Sequence, residues 1–360
     1  MPNGNPGGGR AERSRHGTVS VRAPAWIYSC AVLDASVVVC SRNRAELLRQ
    51  CLDRLVDQFV AGGDRYEVVV VDNGSTDGTP AVIEAWRAAD PDLRRAVHEP
   101  TPGLSRARNR GVAEARGEVV LFIDDDAVAP RGWVAAHLAP YRRDPWVSGV
   151  GGPVSLRWPD GRPRWLAPRL EHWFSALDHG DRATEFPPPH GPYGTNMSLR
   201  RSVFAAVGGF DERLGRRGRS LVSSEEGDLF GRVWAAGGSV VYEPASLVLH
   251  GVTRDRLSRR WVLRRGWAQG RSNARRRVMA GPVGRRELAT VCRSEAETAT
   301  RGLGEVVRAT ATGGQAAFLD EVARRSGHMA AAVELVWLRV RDDAQPRPVA
   351  GAPTSGTRAV

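Results

Sequence analysis

From residue 36 onward, hydrophobic positions fall into short apolar runs separated by longer stretches that have one apolar face. The run at 119–123 lacks the polar alternation of a half-exposed strand, which predicts a strand covered on both faces. The predicted strands are 36–40, 66–71, 93–98 and 119–123, and the predicted helices between them are 47–59, 79–89 and 104–115. This alternation indicates repeated βαβ units, and therefore an α/β fold with a mostly parallel central sheet flanked by helices.

The pattern changes in the second half of the chain. Residues 147–192 are rich in Trp, Pro, Gly and His and show weak periodicity, so they predict an irregular segment of the kind that often contacts a substrate. A helix is predicted at 225–236 and a strand at 239–242. Residues 254–277 then contain ten arginines interleaved with Leu and Trp, which predicts a basic amphipathic helix with three uses: a solvated face, a phosphate-binding face or contact with an anionic membrane.

The charge, the cysteine spacing and the length of the apolar runs indicate which partners and which cellular location to expect. The formal charge is +12 and the chain has no lysine, so all 52 basic residues are arginine. This excess predicts affinity for polyanions such as nucleoside diphosphates, anionic lipids or nucleic acid. The four cysteines are scattered without metal-ligand spacing, and no apolar run is long enough to span a membrane. We therefore expect a cytoplasmic protein, with a peripheral position at the inner face of the membrane left open.

Three consecutive carboxylates, Asp124, Asp125 and Asp126, follow the run at 119–123. The two-residue period of an extended chain would place Asp124 and Asp126 on one side, where they repel unless a cation lies between them. Oxygen ligands of this kind suit Mg²⁺ or Mn²⁺ shared with substrate phosphates, although a solvated acidic turn would produce the same sequence.

Polar groups follow the other predicted strands as well. Residues Arg42, Asn43 and Arg44 follow the first strand, and Asp72 follows the second. Because parallel strands share one carboxyl edge, these groups are expected to converge with Asp124–Asp126 on one site. The segment after Asp72 is equally well explained by turn chemistry, and the acids at 225–228 by an ordinary capped helix start.

The order of these strands, helices and polar clusters along the chain resembles that of a family 2 glycosyltransferase with the GT-A fold. The resemblance covers about residues 35–275 and depends on the order and spacing of several motifs. These motifs are Val38–Arg44, Val71–Asp77, Gly103–Gly111, Asp124–Asp126, Gly194–Met197, Gly208–Asp211 and Glu225–Leu229. It implies a GT-A domain at 34–255, made of a nucleotide-binding half at 34–126 and an acceptor-binding half at 127–255. A helical C-terminal extension at 256–341 would follow, with a disordered arm at 1–33 and a disordered tail at 342–360.

The resemblance also implies roles for individual residues. Asp72 would hold the nucleobase, with main chain at Ser41, Arg42, Asn43 and Arg44 lining the same pocket. Arg108 would lie near the nucleotide and Asp124 near the ribose, with Asp125 beside it in the donor site. Asp126 would coordinate a divalent cation, Mn²⁺ or Mg²⁺, and His250 is either a further ligand or a core histidine. The catalytic base would be Glu226 or Glu225, because a Glu-Glu pair stands where the family usually has Glu-Asp.

These roles imply inverting, metal-dependent transfer of a sugar from a nucleoside-diphosphate sugar, with UDP-sugar favoured. The acceptor would be a hydroxyl on a glycan, a lipid-linked molecule or a small molecule. Three other hypotheses remain: a peripheral membrane transferase with residues 254–277 on anionic lipid, a nucleotidyltransferase, and a polyanion-binding protein. Nucleic acid is not the expected partner, since binding it would leave the acid clusters at the strand ends unexplained.

Overall fold

A computed structural model of the chain describes residues 33–58, 64–218, 220–279, 284–300 and 303–344. Nearly all of the predicted arm and residues 345–360 of the predicted tail lie outside this part, as does the end of the first predicted helix at Phe59. The helices are α1 Ala45–Val56, α2 Thr79–Arg87, α3 Leu104–Glu114, α4 Trp133–Arg143, α5 Arg201–Val207, α6 Glu225–Ala235, α7 Arg259–Met279, α8 Arg285–Thr300 and α9 Leu303–Ala344.

The central sheet contains eight strands in the order β3-β2-β1-β4-β9-β6-β10-β8 within the described part of the chain. They are β1 Ala35–Ser41, β2 Tyr66–Asp72, β3 Arg94–His98, β4 Val119–Asp124, β6 Val147–Gly151, β8 Thr184–Glu185, β9 Asn196–Arg200 and β10 Ser239–Tyr242. A smaller sheet has the order β5-β11-β7, from β5 Ala127–Val128, β11 Val248–Gly251 and β7 Val154–Arg157. Strands β3, β2, β1 and β4 are parallel, β9 is antiparallel to both neighbours, and β10 returns parallel to β6. The prediction of an α/β fold with a mostly parallel sheet is confirmed.

The site-forming edge follows from the strand order. Strand β1 pairs with β2 on one side and β4 on the other, with Ser41 opposite Asp72 and Cys40 opposite Asp124. The chain thus reverses its direction of travel across the sheet at β1. In open α/β sheets a crevice forms at such a point, at the carboxyl ends of the strands.

Two apolar layers cover the central sheet. One contains Leu48 and Leu52 of α1 with Trp133 and Leu138 of α4, and the other contains Phe204, Leu229 and Phe230. The alternating strand residues of β1 explain this division, because Val37 and Val39 face the first layer and Val38 faces the second.

Strand β6 corrects the prediction that 147–192 is irregular throughout. Its sequence, VSGVG, has a weak strand signal because two of five residues are glycine. Packing explains the glycine at 151: a Cβ there would overlap the ring of Pro192. The strand is therefore set by a close approach between segments that are distant in sequence.

The C-terminal extension is helical, as predicted, and packs on the irregular segment. Trp173 and Phe174, from a 3₁₀ helix at Pro168–Phe174, share a cluster with Val262 of α7 and Leu319 of α9. Helices α7 and α9 approach so closely that a Cβ at Gly270 would overlap the backbone of Gly327. None of the helices in the described ranges combines the length and apolar character needed to cross a bilayer.

Candidate active site

A cavity of about 980 Å³ opens at the carboxyl ends of β1 and β4. Helices α6 and α7 and the loop before β9 form its other walls. Of the residues predicted to act in the site, those lining the cavity are Ser41, Arg42, Asn43, Arg44, Arg108, Asp124, Asp125, Asp126, Glu225, Glu226 and His250. The fold therefore brings together side chains from five separate parts of the sequence.

Asp124, Asp126 and His250 form one end of the cavity. A ligand atom from each lies within 4.8 Å of the others, so the three could hold a metal ion. The ring of His250 makes the fit specific. Its Nδ1 lies 2.8 Å from the carbonyl oxygen of Phe174 and donates to it, which leaves Nε2 to face the carboxylates. That atom faces Asp126 Oδ1 at 3.1 Å, and two electron-rich atoms at this distance require a proton or a cation.

Two arginines complete the surroundings of Asp126. Arg44 Nη1 donates to Asp125 Oδ1 at 2.8 Å and to Asp126 Oδ2 at 2.9 Å, and Arg256 Nη2 donates to the same Oδ2 at 3.2 Å. Burial alone would raise the pKa of Asp126, but His250, Arg256 and Arg44 together hold it well below its usual range. Burial raises the pKa of Asp125 to about 6 against the opposing effect of Arg44. The charge of Asp126 is therefore fixed at neutral pH.

Asp72 lies at the end of β2, where its oxygens already have partners. Oδ1 accepts from the Ser75 backbone N–H at 3.0 Å and Oδ2 lies 3.3 Å from His98 Nδ1. The cavity wall nearby is formed by Asn73, whose side chain joins the turn to the segment before α3. Both oxygens of Asp72 are therefore engaged by neighbouring residues, and nucleobase binding by Asp72 stays a prediction.

Glu225 and Glu226 open α6 at the opposite end of the cavity. Ser224, just before them, has a left-handed backbone (φ 86°), a strained conformation for a non-glycine residue and one that concentrates at functional sites. Glu225 is buried, and its Oε2 has no hydrogen-bond partner within the described ranges. Burial and the neighbouring Glu226 raise the pKa of Glu225 to about 7. Burial would also raise the pKa of Glu226, but the Arg108 guanidinium and backbone N–H groups lower it below its ordinary value.

Arg108 connects the two ends of the cavity. It is 2% exposed, and Nη1 donates to Glu225 Oε1 at 3.0 Å and Glu226 Oε1 at 3.1 Å, while Nη2 lies 3.4 Å from Asp124 Oδ1. A Cβ at Gly194 would overlap the side-chain ends of both Arg108 and Glu226, so the glycine leaves room for their contact. With three carboxylates as partners, Arg108 sets the separation of the cation end from Glu226.

One face of α7 forms a wall that the sequence did not single out. Arg265, Gln269, Asn273 and Arg276 line the cavity at intervals of four, four and three residues, the spacing of one helix face. Arg271 and Arg275 instead form ion pairs with Glu334 on α9. The helical spacing was visible in the sequence, but arginines on every face of 254–277 hid which face pointed inward. Contact of 254–277 with an anionic membrane stays a prediction.

Comparisons with known proteins agree on one family. Residues 36–208 match the family model described as "Glycosyl transferase family 2". The chain is 29% identical over 250 residues to a glucosyl-dolichyl phosphate glucuronosyltransferase of Haloferax volcanii, covering 69% of this chain and 77% of that one. It is 28% identical to the succinoglycan biosynthesis protein ExoM of Rhizobium meliloti, over 68% of this chain and 75% of the relative.

A solved structure shares the fold. It is a mannosyltransferase from Pyrobaculum calidifontis in complex with GDP-Man and Mn²⁺, with a TM-score of 0.55 and 23% identity. The superposition covers 85% of this chain and 88% of that chain.

Proposed function

Because this chain is a family 2 glycosyltransferase with the GT-A fold, we propose that it transfers a sugar from a nucleoside-diphosphate sugar to a hydroxyl acceptor with inversion of the anomeric carbon. The observation that carries the proposal is the placement of two kinds of group across one cavity. A candidate cation site lies at one end, an ionised carboxylate at the other, and Arg108 is hydrogen-bonded to both.

The donor belongs at the Asp126 end. Asp126 and His250, with Asp124 in reach, would hold a divalent cation, whose Lewis acidity would stabilise the leaving diphosphate. Arg44 and Arg256 hold the Asp126 carboxylate in place and add positive charge at the same point. The donor-binding roles of Ser41, Arg42, Asn43, Asp72 and Asp125 belong to this same proposal. A UDP-sugar remains the expected donor, and the GDP-Man in the Pyrobaculum structure makes GDP the alternative.

The acceptor belongs at the Glu226 end. Glu226 reaches the cavity and its lowered pKa keeps it ionised, so it would remove the proton from the acceptor hydroxyl as that oxygen attacks the sugar. Glu225 has a raised pKa and a buried side chain, so it suits a positioning role. The structure thus favours Glu226 of the two candidates left open by the sequence.

Calorimetric titration of nucleotides tests the donor site. We expect one of UDP, TDP and GDP to bind in the presence of Mn²⁺ and to lose at least ~10-fold in affinity with EDTA or in Asp126→Asn, since the charged ligand is removed. The matched control is Asp53→Asn, which changes an exposed carboxylate on α1. The proposal fails if none of the nucleotides binds, or if Asp126→Asn binds as tightly as the unmodified chain.

A further inference from the structure

Arg265 is an unusual residue in the α7 wall because it is buried and forms no ion pair with a carboxylate of the described residues. It is 8% exposed, and its one hydrogen bond within the described ranges runs from Nη2 to Ser223 Oγ at 3.3 Å. Its Nε and Nη1 atoms are buried and have no hydrogen-bond partner in the described part of the chain. Burial, reinforced by the charge of Arg216, lowers the pKa of Arg265 to about 10.

Such an arrangement disfavours the folded state unless a ligand or a bound water completes it. A buried guanidinium that leaves donors unmade loses hydration without replacing it, and native proteins rarely tolerate this. Arg265 is one of the residues that line the cavity, so an anion there would meet the guanidinium that carries these unpaired groups. Because arginine binds oxyanions through several N–H groups at once, the missing partner is an anion with more than one oxygen.

The position of Arg265 assigns this anion to the acceptor. Its Nη2 donates to Ser223 Oγ, two residues before Glu225, whereas Arg256 Nη2 donates to Asp126 Oδ2 at the cation end. Arg44 and Arg256 are therefore the arginines available to the diphosphate of a donor. An anion bound at Arg265 would instead lie beside the start of α6, where Glu226 stands.

A second arginine, Arg276, lies about three turns further along α7 and also lines the cavity. It lies beside the first turn of α6, with Nη1 2.5 Å from where a Cβ on Gly227 would stand. Gln269 and Asn273 lie between the two arginines and offer neutral donors.

We propose that the acceptor carries a phosphate group, and that Arg265 and Arg276 bind this phosphate and so deliver the acceptor hydroxyl to Glu226. This inference rests on the proposed transferase function and adds the chemical class of the acceptor. Either a water-soluble sugar phosphate or the headgroup of a lipid phosphate would supply the same oxyanion.

The test measures binding of two phosphate probes while saturating nucleoside diphosphate and Mn²⁺ occupy the donor end. Glucose 1-phosphate represents the soluble source and citronellyl phosphate the lipid source, and glucose and citronellol are their uncharged counterparts. We expect at least one phosphate to bind, its uncharged counterpart to bind more than ~10-fold more weakly, and Arg265→Gln to weaken the phosphate by a similar factor. The tighter phosphate identifies the source.

Arg264→Gln is the matched control, because Arg264 is the exposed neighbour of Arg265 on the same helix. It should leave the affinity for the phosphate within twofold. Two readouts separate this inference from the transferase function and from a folding defect. Nucleotide affinity should be the same in Arg265→Gln, and its thermal midpoint without ligand should equal or exceed that of the unmodified chain, since an uncompensated buried charge is removed.

Three outcomes would overturn the inference: neither phosphate binds, the uncharged counterparts bind equally well, or Arg265→Gln binds phosphate normally. Normal nucleotide binding together with any of these would leave the transferase proposal intact. Loss of stability in Arg265→Gln with phosphate affinity unchanged would identify Arg265 as a structural residue.

Discussion

At the scale of single residues, Glu225 and Glu226 have different pKa values although both carboxyls are hydrogen-bonded to the same arginine, Arg108. Arg108 contacts both, but Glu226 also receives the Gly194 backbone N–H, at 3.2 Å, and its side chain is 19% exposed against 2% for Glu225. The buried Oε2 of Glu225 has no such compensation within the described chain. The two side chains therefore differ in protonation because of their surroundings, although both are glutamates.

This difference predicts unequal effects of two matched substitutions. Glu226→Gln removes the proposed base and should lower the turnover of donor by ~10²- to 10⁴-fold while nucleotide affinity stays unchanged. Glu225→Gln should lower turnover much less, because it replaces a buried carboxyl that is already about half neutral at pH 7. Steady-state rates of nucleoside diphosphate release measure both. A larger loss in Glu225→Gln would reverse the two roles.

The sequence predicted which residues meet in this site better than it predicted their contacts. Convergence of strand-end groups needed only the parallel sheet, and the structure does bring Arg44, Arg108 and Asp124–Asp126 together. The two-residue period used for the three acids does not apply, because β4 ends at Asp124 and the next two acids lie in a turn. The contact of Arg44 with both Asp125 and Asp126 depends on register between β1 and β4, which no local pattern encodes.

At the scale of elements, close packing of α7 on α9 determines where the α7 wall stands. A Cβ on Gly266 would come within 2.6 Å of the Ala323 carbonyl oxygen, and one on Gly270 would overlap the Gly327 backbone. The sequence predicted that α7 is a helix, but it did not predict the contact of its glycines with α9. Two glycines in a helix ordinarily indicate weakness, and only the partner helix shows that they are required.

Two substitutions of the same kind should therefore have opposite signs. Gly270→Ala should destabilise the protein by about 1–3 kcal/mol, because the helices must separate to admit a methyl group. Gly231→Ala, on an exposed face of α6 with nothing within 4 Å of the added atom, should stabilise it by up to about 1 kcal/mol. Chemical denaturation of both variants measures the difference. If Gly270→Ala were neutral, the α7–α9 contact would be looser than described.

At the scale of the whole molecule, the buried carboxyl of Glu225 couples the site to global stability. Its pKa is about 7 in the folded chain, against an ordinary value of 4.5. The folded state therefore holds a proton that the unfolded state has released between these values. The contribution of Glu225 to the free energy of unfolding is greatest below about pH 4.5, declines as the pH rises through 7 and is constant above that.

Thermal unfolding of the unmodified chain and of Glu225→Gln should reveal this coupling. We expect the thermal midpoint of the unmodified chain, measured relative to that of Glu225→Gln, to decrease as the pH is raised from 5 to 8. The reason is that the carboxyl of Glu225 can ionise whereas the amide of the variant cannot. Glu287→Gln, at an exposed position on α8, is the control and should keep a constant offset from the unmodified chain. An equal offset of Glu225→Gln at pH 5 and pH 8 would contradict the raised pKa.

The separation of the two walls of the cavity also bears on how such an enzyme diversifies. The groups proposed for the nucleotide stand largely at strand ends of the sheet, while the proposed acceptor contacts occupy four positions on one face of α7. Exchanging Arg265, Gln269, Asn273 or Arg276 changes no residue of the strands. Substitutions on this face of α7, whether by evolution or by design, would thus change the acceptor that is bound and leave the donor-binding residues unchanged.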